Sequence, residues 1–171
     1  IDGFPQEKDS PKVEIMKTQS KKRSIRFGVV GSGQAGSRIA ETFYSLGYPA
    51  VVFNTANQDL EDIKMPEDCK CLLNFGIGGA ARTLAIGHDA AEMHRDQMLE
   101  LINGKLSDCQ AFVLTFSLGG GSGAGSADVL IDMLATLGKP VIVITILPMT
   151  NEDAQMKQNS LETLAKVTKA I

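Results

Sequence analysis

Between Ser117 and Leu130 the chain reads SLGGGSGAGSADVL, with five glycines in seven residues leading into an apolar-periodic segment. Such a run is either a flexible linker or a cradle for an anion. A helix amino terminus carries unpaired N–H groups and a partial positive charge, so it already forms half of a phosphate site. Glycine completes it by removing Cβ and tolerating positive φ, which would let Gly119, Gly120, Gly121 and Gly123 turn their amides around an anion, with the Ser122 hydroxyl as a further donor. A second loop, GSGQAG at residues 31–36, matches G-x-G-x-x-G. In a dinucleotide-binding fold that fingerprint expects an acidic residue about 20 positions on to hold the ribose hydroxyls, and it calls for no second glycine loop. Here Asn54 and Thr55 stand at that place. The P-loop pattern G-x-x-x-x-G-K-[ST] is absent, because Gly104-Lys105 and Gly138-Lys139 are followed by Leu106 and Pro140. A phosphate held here is therefore held mainly by backbone amides and helix ends.

These loops need elements to position them, and the periodicity supplies those elements. IRFGVV at 25–30 is a short apolar run ending in glycine, as a buried parallel strand should. The next segment predicts a helix with Ile39, Phe43 and Leu46 on one face, stopped by Gly47. AVVFN after Pro49 and KCLLN at 70–74 read as strands two and three. Residues 87–102 predict one helix with Ala90, Ala91, Met93, Met98, Leu101 and Ile102 on a broad arc, and His94 packed within it. AFVLTFS at 111–117 is a strand, and the glycine run after it leads into a helix bearing Val129, Leu130, Met133, Leu134 and Leu137, ended by Gly138 and Pro140. VIVITI at 141–146 is an apolar strand. The last helix sets Leu161, Leu164, Ala165, Thr168 and Ile171 on one side, with Thr150 and Asp153 resembling a capping box.

Strands alternating with helices define an α/β class with a parallel sheet flanked by helices on both faces, and such sheets bind ligands beyond the carboxyl ends of their strands. Both glycine loops fall at strand ends, where a linker has no reason to sit. Residues 1–24 are polar, carry Pro5 and Pro11, and read as a flexible arm whose Lys21-Lys22-Arg23 cluster is a solvated edge. The 43% hydrophobic content allows a sizeable core, while a net charge of −3 advertises no broad basic surface for direct nucleic-acid binding. No apolar run is long enough for a membrane helix, and Cys69, Cys71 and Cys109 suit ordinary thiols in a reducing, cytoplasmic setting.

Two glycine loops, with NTANQDL after the second strand, resemble the tubulin/FtsZ superfamily of GTP-binding filament proteins. GGGSGAG looks like its signature GGGTGTG or GGGTGSG, with Ser122 replacing threonine. GQAG at 33–36 is similar to its first loop, and FGIGGAARTLAIGHDAA at 75–91 looks like its third phosphate loop. Within the superfamily the pattern RFGVVG, FNTANQD, GAAR and ITILP is most similar to the plasmid- and phage-encoded TubZ branch.

The resemblance implies a Rossmann-like GTP-binding domain over residues 25–171, truncated before the central helix, with GTP or GDP and Mg²⁺ as ligands. Carried over by position, Gly33, Gln34 and Ala35 would meet the phosphates, with Gln34 also near the magnesium. Ser37 and Arg38 would approach the base, and Asn54 and Asn57 would line the nucleotide. Gly78, Gly79, Ala80 and Ala81 would sense the γ-phosphate, and Gly119, Gly120, Gly121, Ser122 and Gly123 would wrap the α- and β-phosphates. Pro148 and Glu152 would close the site, with Glu152 on the ribose; by itself Glu152 reads equally as a helix-start carboxylate. The catalytic carboxylate is expected beyond Ile171, supplied by a neighbouring subunit in a head-to-tail filament. Plasmid or phage DNA would be reached through a DNA-binding adaptor, with no membrane partner. The third loop departs from the family by lacking Asn-Pro and carrying Arg82-Thr83, and Met156 stands where FtsZ has an arginine. The alternatives are a non-hydrolysing tubulin-like scaffold and a Rossmann-type NAD- or FAD-binding oxidoreductase domain.

Overall fold

A computed structural model describes residues 25–76 and 78–170; the expected arm at 1–24 and the last helical position, Ile171, lie outside them. The strands β1 (Phe27–Ser32), β2 (Ala50–Asn54), β3 (Lys70–Leu72), β4 (Ala111–Ser117) and β5 (Val141–Ile146) pair in parallel, in the order β3-β2-β1-β4-β5. Val30 stands opposite both Val51 and Leu114, so β1 is the central strand, and Val29, Val30, Val51 and Val52 are wholly buried. A parallel sheet is covered on both faces by its crossover helices, which is why these strands are near-continuous apolar runs. One face packs Val30, Val51, Phe53 and Leu114 against α3 (Leu84–Met93), α4 (Arg95–Leu106) and α6 (Ala127–Thr136). The other packs Val29, Val52 and Val113 against Ala40 of α1 (Gly33–Ser45) and Leu60 of α2 (Asn57–Glu61).

Several helices depart from the sequence expectation, each for a local reason. α1 turns Gly36, Ser37 and Ala40 inward and leaves Leu46 61% exposed at its end. The helix runs so close to β4 that a Cβ on Gly36 would stand 2.2 Å from the Thr115 carbonyl oxygen, so small residues take the face expected to carry Ile39 and Leu46. The single helix expected over 87–102 is two, α3 and α4, broken at His94. His94 departs from helical backbone, at φ −104° and ψ 15°, and its Nδ1 lies 2.9 Å from the Ala90 carbonyl, which its own amide also approaches at 3.2 Å; Met93 before it is left exposed.

α7 (Ala154–Ala170) buries Asn159, Ser160, Thr163 and Val167 and exposes Leu161 and Leu164, the reverse of the expected face. Its inward side meets backbone carbonyls, which an amide can satisfy and a leucine cannot. Its cap is Asp153, whose Oδ1 accepts the Met156 N–H at 2.9 Å, rather than a Thr150–Asp153 box. β5 is an edge strand: Val141 and Val143 pack on the core, while Ile142, Ile144 and Ile146, aligned with Val113, Thr115 and Ser117 of β4, are exposed. Among the described residues no helix is long and apolar enough to cross a membrane.

Candidate functional site

The strand order reverses direction between β1 and β4, and the crevice beyond their carboxyl ends is the place where such sheets take ligands. Loops following all five strands converge there on a cavity of about 530 Å³, within the roughly 300–1,000 Å³ of small-molecule sites. Its floor joins the loops after β1 and β4. Gly33 opens α1 at φ 68°, and a Cβ there would stand 2.7 Å from the Gly123 nitrogen, so the two loops touch backbone to backbone. The floor is sealed by a buried Ser32–Ser126 hydroxyl pair at 2.7 Å, and Ser122 shares a hydrogen bond with Thr55 at 2.6 Å.

Of the two reasons expected for the glycine run, the missing Cβ is used and positive φ is not. None of Gly119, Gly120, Gly121, Gly123 or Gly125 adopts positive φ, and residues 121–125 form a short helix, α5 (Gly121–Gly125), separated from α6 at Ser126. The glycines are there for proximity instead. A Cβ on Gly121 would stand 2.9 Å from both the Ala80 Cβ and the Arg82 Cα, and one on Gly125 would stand 2.3 Å from the Leu84 carbonyl oxygen. α5 is thereby pressed against the loop after β3 and the start of α3.

That loop is built the opposite way. Gly76, Gly78 and Gly79 have φ of 81°, 68° and 139°, and nothing lies within 4 Å of a Cβ placed on Gly76 or Gly78. Ala81 and Arg82 also hold positive φ, 44° and 62°, a conformation that costs an L-residue roughly 1–2 kcal/mol. α7 holds them in place. Asn159 Nδ2, on a 3% exposed side chain, donates to the Arg82 carbonyl at 2.7 Å and the Gly119 carbonyl at 3.1 Å, while its Oδ1 accepts from Gln155 at 2.8 Å. The Arg82 guanidinium pairs with Asp153, the α7 cap. Glu152, also on the cavity wall and next in the chain to Asp153, has its Oε2 buried with no hydrogen-bond partner. A buried carboxylate oxygen in that condition is costly unless a donor arrives, so the wall fits a ligand hydroxyl.

The cavity wall gathers Gly33, Gln34 and Ala35, the third-loop residues Gly78, Gly79, Ala80 and Ala81, and Pro148 with Glu152. Gly119, Gly120, Gly121, Ser122 and Gly123 complete it. Four expected residues are not on the wall. Ser37 is buried on the inward face of α1, Arg38 pairs with Glu41 and Asp62, and exposed Asn57 bonds Glu61. Asn54 is 1% exposed and works internally, accepting the Ala56 N–H at 3.2 Å and donating to Asp59 at 3.0 Å. Conversely, Ala56, Asp59, Arg82, Ser117, Ile146, Leu147 and Met156 line the cavity without having been singled out as its residues. The charges directly after the second- and third-strand motifs were the available signal for Asp59 and Arg82.

Among the described residues no group of three or more His, Cys, Asp and Glu is placed to hold a metal. Burial pushes the Cys71 thiol up to about 11 and raises Cys69 and Cys109 as well, so all three favour the neutral thiol.

A parallel sheet whose carboxyl-end loops form a glycine-rich cavity, with one carboxylate oxygen unpaired on its wall, defines an α/β domain with its ligand crevice beyond the strand ends. Residues 26–171 match the Tubulin/FtsZ family, GTPase domain, and the chain belongs to that family. It is 31% identical over 155 residues to the tubulin-like protein CetZ of Pyrococcus abyssi, covering 86% of this chain and 42% of that protein. The GTPγS-bound CetZ2 protofilament from Haloferax volcanii superposes with a TM-score of 0.78 at 26% identity, covering 85% of this chain and 47% of that one. A GTPγS-form protofilament of TubZ from Bacillus thuringiensis serovar israelensis gives 0.71 at 22% identity, over 85% of this chain and 42% of that one. TubZ therefore shares the fold, while the sequence likeness is stronger to CetZ, which corrects the expected branch. The chain spans less than half the length of these relatives.

Proposed function

We propose that this chain is the nucleotide-binding part of a tubulin/FtsZ-type GTPase that self-associates head to tail, with GTP or GDP and Mg²⁺ as its ligands. The observation that carries this proposal is the unpartnered Glu152 oxygen on the wall of a cavity whose floor is close-packed glycine backbone. A ribose hydroxyl supplies the donor that oxygen lacks. The amides of Gly33, Gln34 and Ala35, at the start of α1, face the phosphates with the positive end of the helix. Mg²⁺ would be held largely by phosphate oxygens and water, with Gln34 and Asp59 as the nearby oxygen-bearing side chains of the wall, and when bound it neutralises phosphate charge. A Rossmann-type dinucleotide binder is disfavoured because Asn54 spends its polar atoms on Ala56 and Asp59.

Self-association is supported by the protofilament state of the CetZ2 relative. The residue that positions the attacking water is placed in a second subunit, so dilute chain alone is expected to turn GTP over hardly at all. A part in moving plasmid or phage DNA through an adaptor rests only on the likeness to TubZ, and we propose no cargo. The test is parallel titration with GTP, GDP and NAD, with and without Mg²⁺. Guanine-nucleotide binding strengthened by Mg²⁺ is expected, whereas binding of NAD alone would overturn the proposal.

A further inference from the structure

We infer that Arg82 is a polyphosphate-binding residue of this site, held in reserve by Asp153 until a nucleotide enters. The inference rests on the nucleotide-site reading above and extends it from backbone amides to a charged side chain of the loop after β3. A nucleoside polyphosphate brings several negative charges into a cavity whose wall already carries two carboxylates, Asp59 and Glu152. Among the described wall residues Arg82 is the one cationic side chain. Its backbone is fixed at the cavity: φ is 62°, and its carbonyl is taken by buried Asn159, which also holds the Gly119 carbonyl of the glycine run. The side chain is not fixed in the same way. It remains 58% exposed, and its one ion pair is with Asp153, itself 45% exposed.

An exposed pair of this kind is weak and exchangeable, whereas a guanidinium's fixed fork of donors matches phosphate and makes charge-assisted hydrogen bonds to it. Asp153 has a second duty through Oδ1, capping α7, which persists when Oδ2 releases Arg82. Exchange from Asp153 to phosphate therefore needs a side-chain rotation and no refolding of α7.

A merely structural latch would behave differently under mutation, and two variants separate the roles. Arg82→Ala is expected to weaken GTP binding roughly 10- to 150-fold, the equivalent of one hydrogen bond to a charged group. Asp153→Asn keeps a good helix cap but removes the competing charge, so GTP binding is expected to stay as tight or to tighten by up to about fivefold. If Arg82→Ala does not fold, Arg82→Gln carries the same comparison. Unchanged GTP affinity in the Arg82 variant overturns the inference. A loss in Asp153→Asn equal to that in Arg82→Ala also overturns it, because the pair would then matter only as a latch. If the unaltered protein binds no guanine nucleotide, the parent site reading fails and this inference falls with it.

Discussion

The floor and the rim of the cavity are both rich in glycine, yet they use it for opposite reasons. Gly121 and Gly123 on the floor, and Gly125 behind them at the end of α5, have no positive φ and lie where a Cβ would meet backbone at 2.9, 2.7 and 2.3 Å. On the rim, Gly76 and Gly78 have positive φ and open space around them. A floor made by backbone pressed on backbone is stiff, because protein interiors have little slack to give. A rim that rests on α5 at Ala80 and Arg82, is tied to α7 by one buried amide and one exposed ion pair, and is open around Gly76 and Gly78 can respond to what enters. The division suits a site that must present fixed amides to a ligand on one side and follow the ligand's state on the other.

Mutation can break this contrast, and the largest effect is expected on the floor. Gly125→Ala drives a Cβ into the Leu84 carbonyl oxygen and should cost about 3 kcal/mol, seen as a drop in the urea midpoint. The same logic limits a double valine substitution at Gly121 and Gly123 as a test of phosphate binding, since it would displace Ser32 and Arg82 before it blocked any ligand. Alkaline pH reaches the strand below the rim. Cys71 on β3 has its thiol pushed up to about 11 by burial, above the ordinary value of 9.0, so the neutral form belongs to the folded state. Its contribution is complete below pH 9 and is lost as pH rises through 11; stability should fall by up to about 2–3 kcal/mol across that window, and Cys71→Ser should flatten the fall.

A smaller effect is expected from Ser126→Ala, which leaves the Ser32 hydroxyl, 1% exposed, without its 2.7 Å partner at about 1–2 kcal/mol. The smallest belongs to the rim: Gly78→Ala meets no atom and is strained only by φ, so about 1 kcal/mol is expected from the same denaturation measurement. Equal losses at Gly125 and Gly78 would erase the distinction between floor and rim.

The strands were legible because a buried parallel strand is an apolar run with clear stops; the bounds expected for AVVFN and AFVLTFS match β2 and β4. The loops could be located for the same reason, since each begins where such a run ends. What a glycine faces is not written locally, so the run at 119–125 was expected to use positive φ, when none of it does and residues 121–125 are a short helix whose Gly121 and Gly125 pack on residues some 40 positions away. α7 misled in a related way: its leucines marked an apolar stripe, but the partner across the interface is the carbonyl of Arg82, which selects Asn159. Arg82 and Asp153 stand 71 residues apart, and only the folded chain brings a rim arginine beside a helix cap.

The central claim is that one cavity, formed by loops from five strands, holds a guanine nucleotide by its backbone. Hydrogen–deuterium exchange of the chain with and without GTP and Mg²⁺ tests it most directly. Slowed exchange is expected together at residues 33–36, 78–82 and 119–123, with little change in α4, which contributes no residue to the cavity wall. Unchanged exchange in all three loops under saturating GTP, or protection confined to the end of β2, would contradict it.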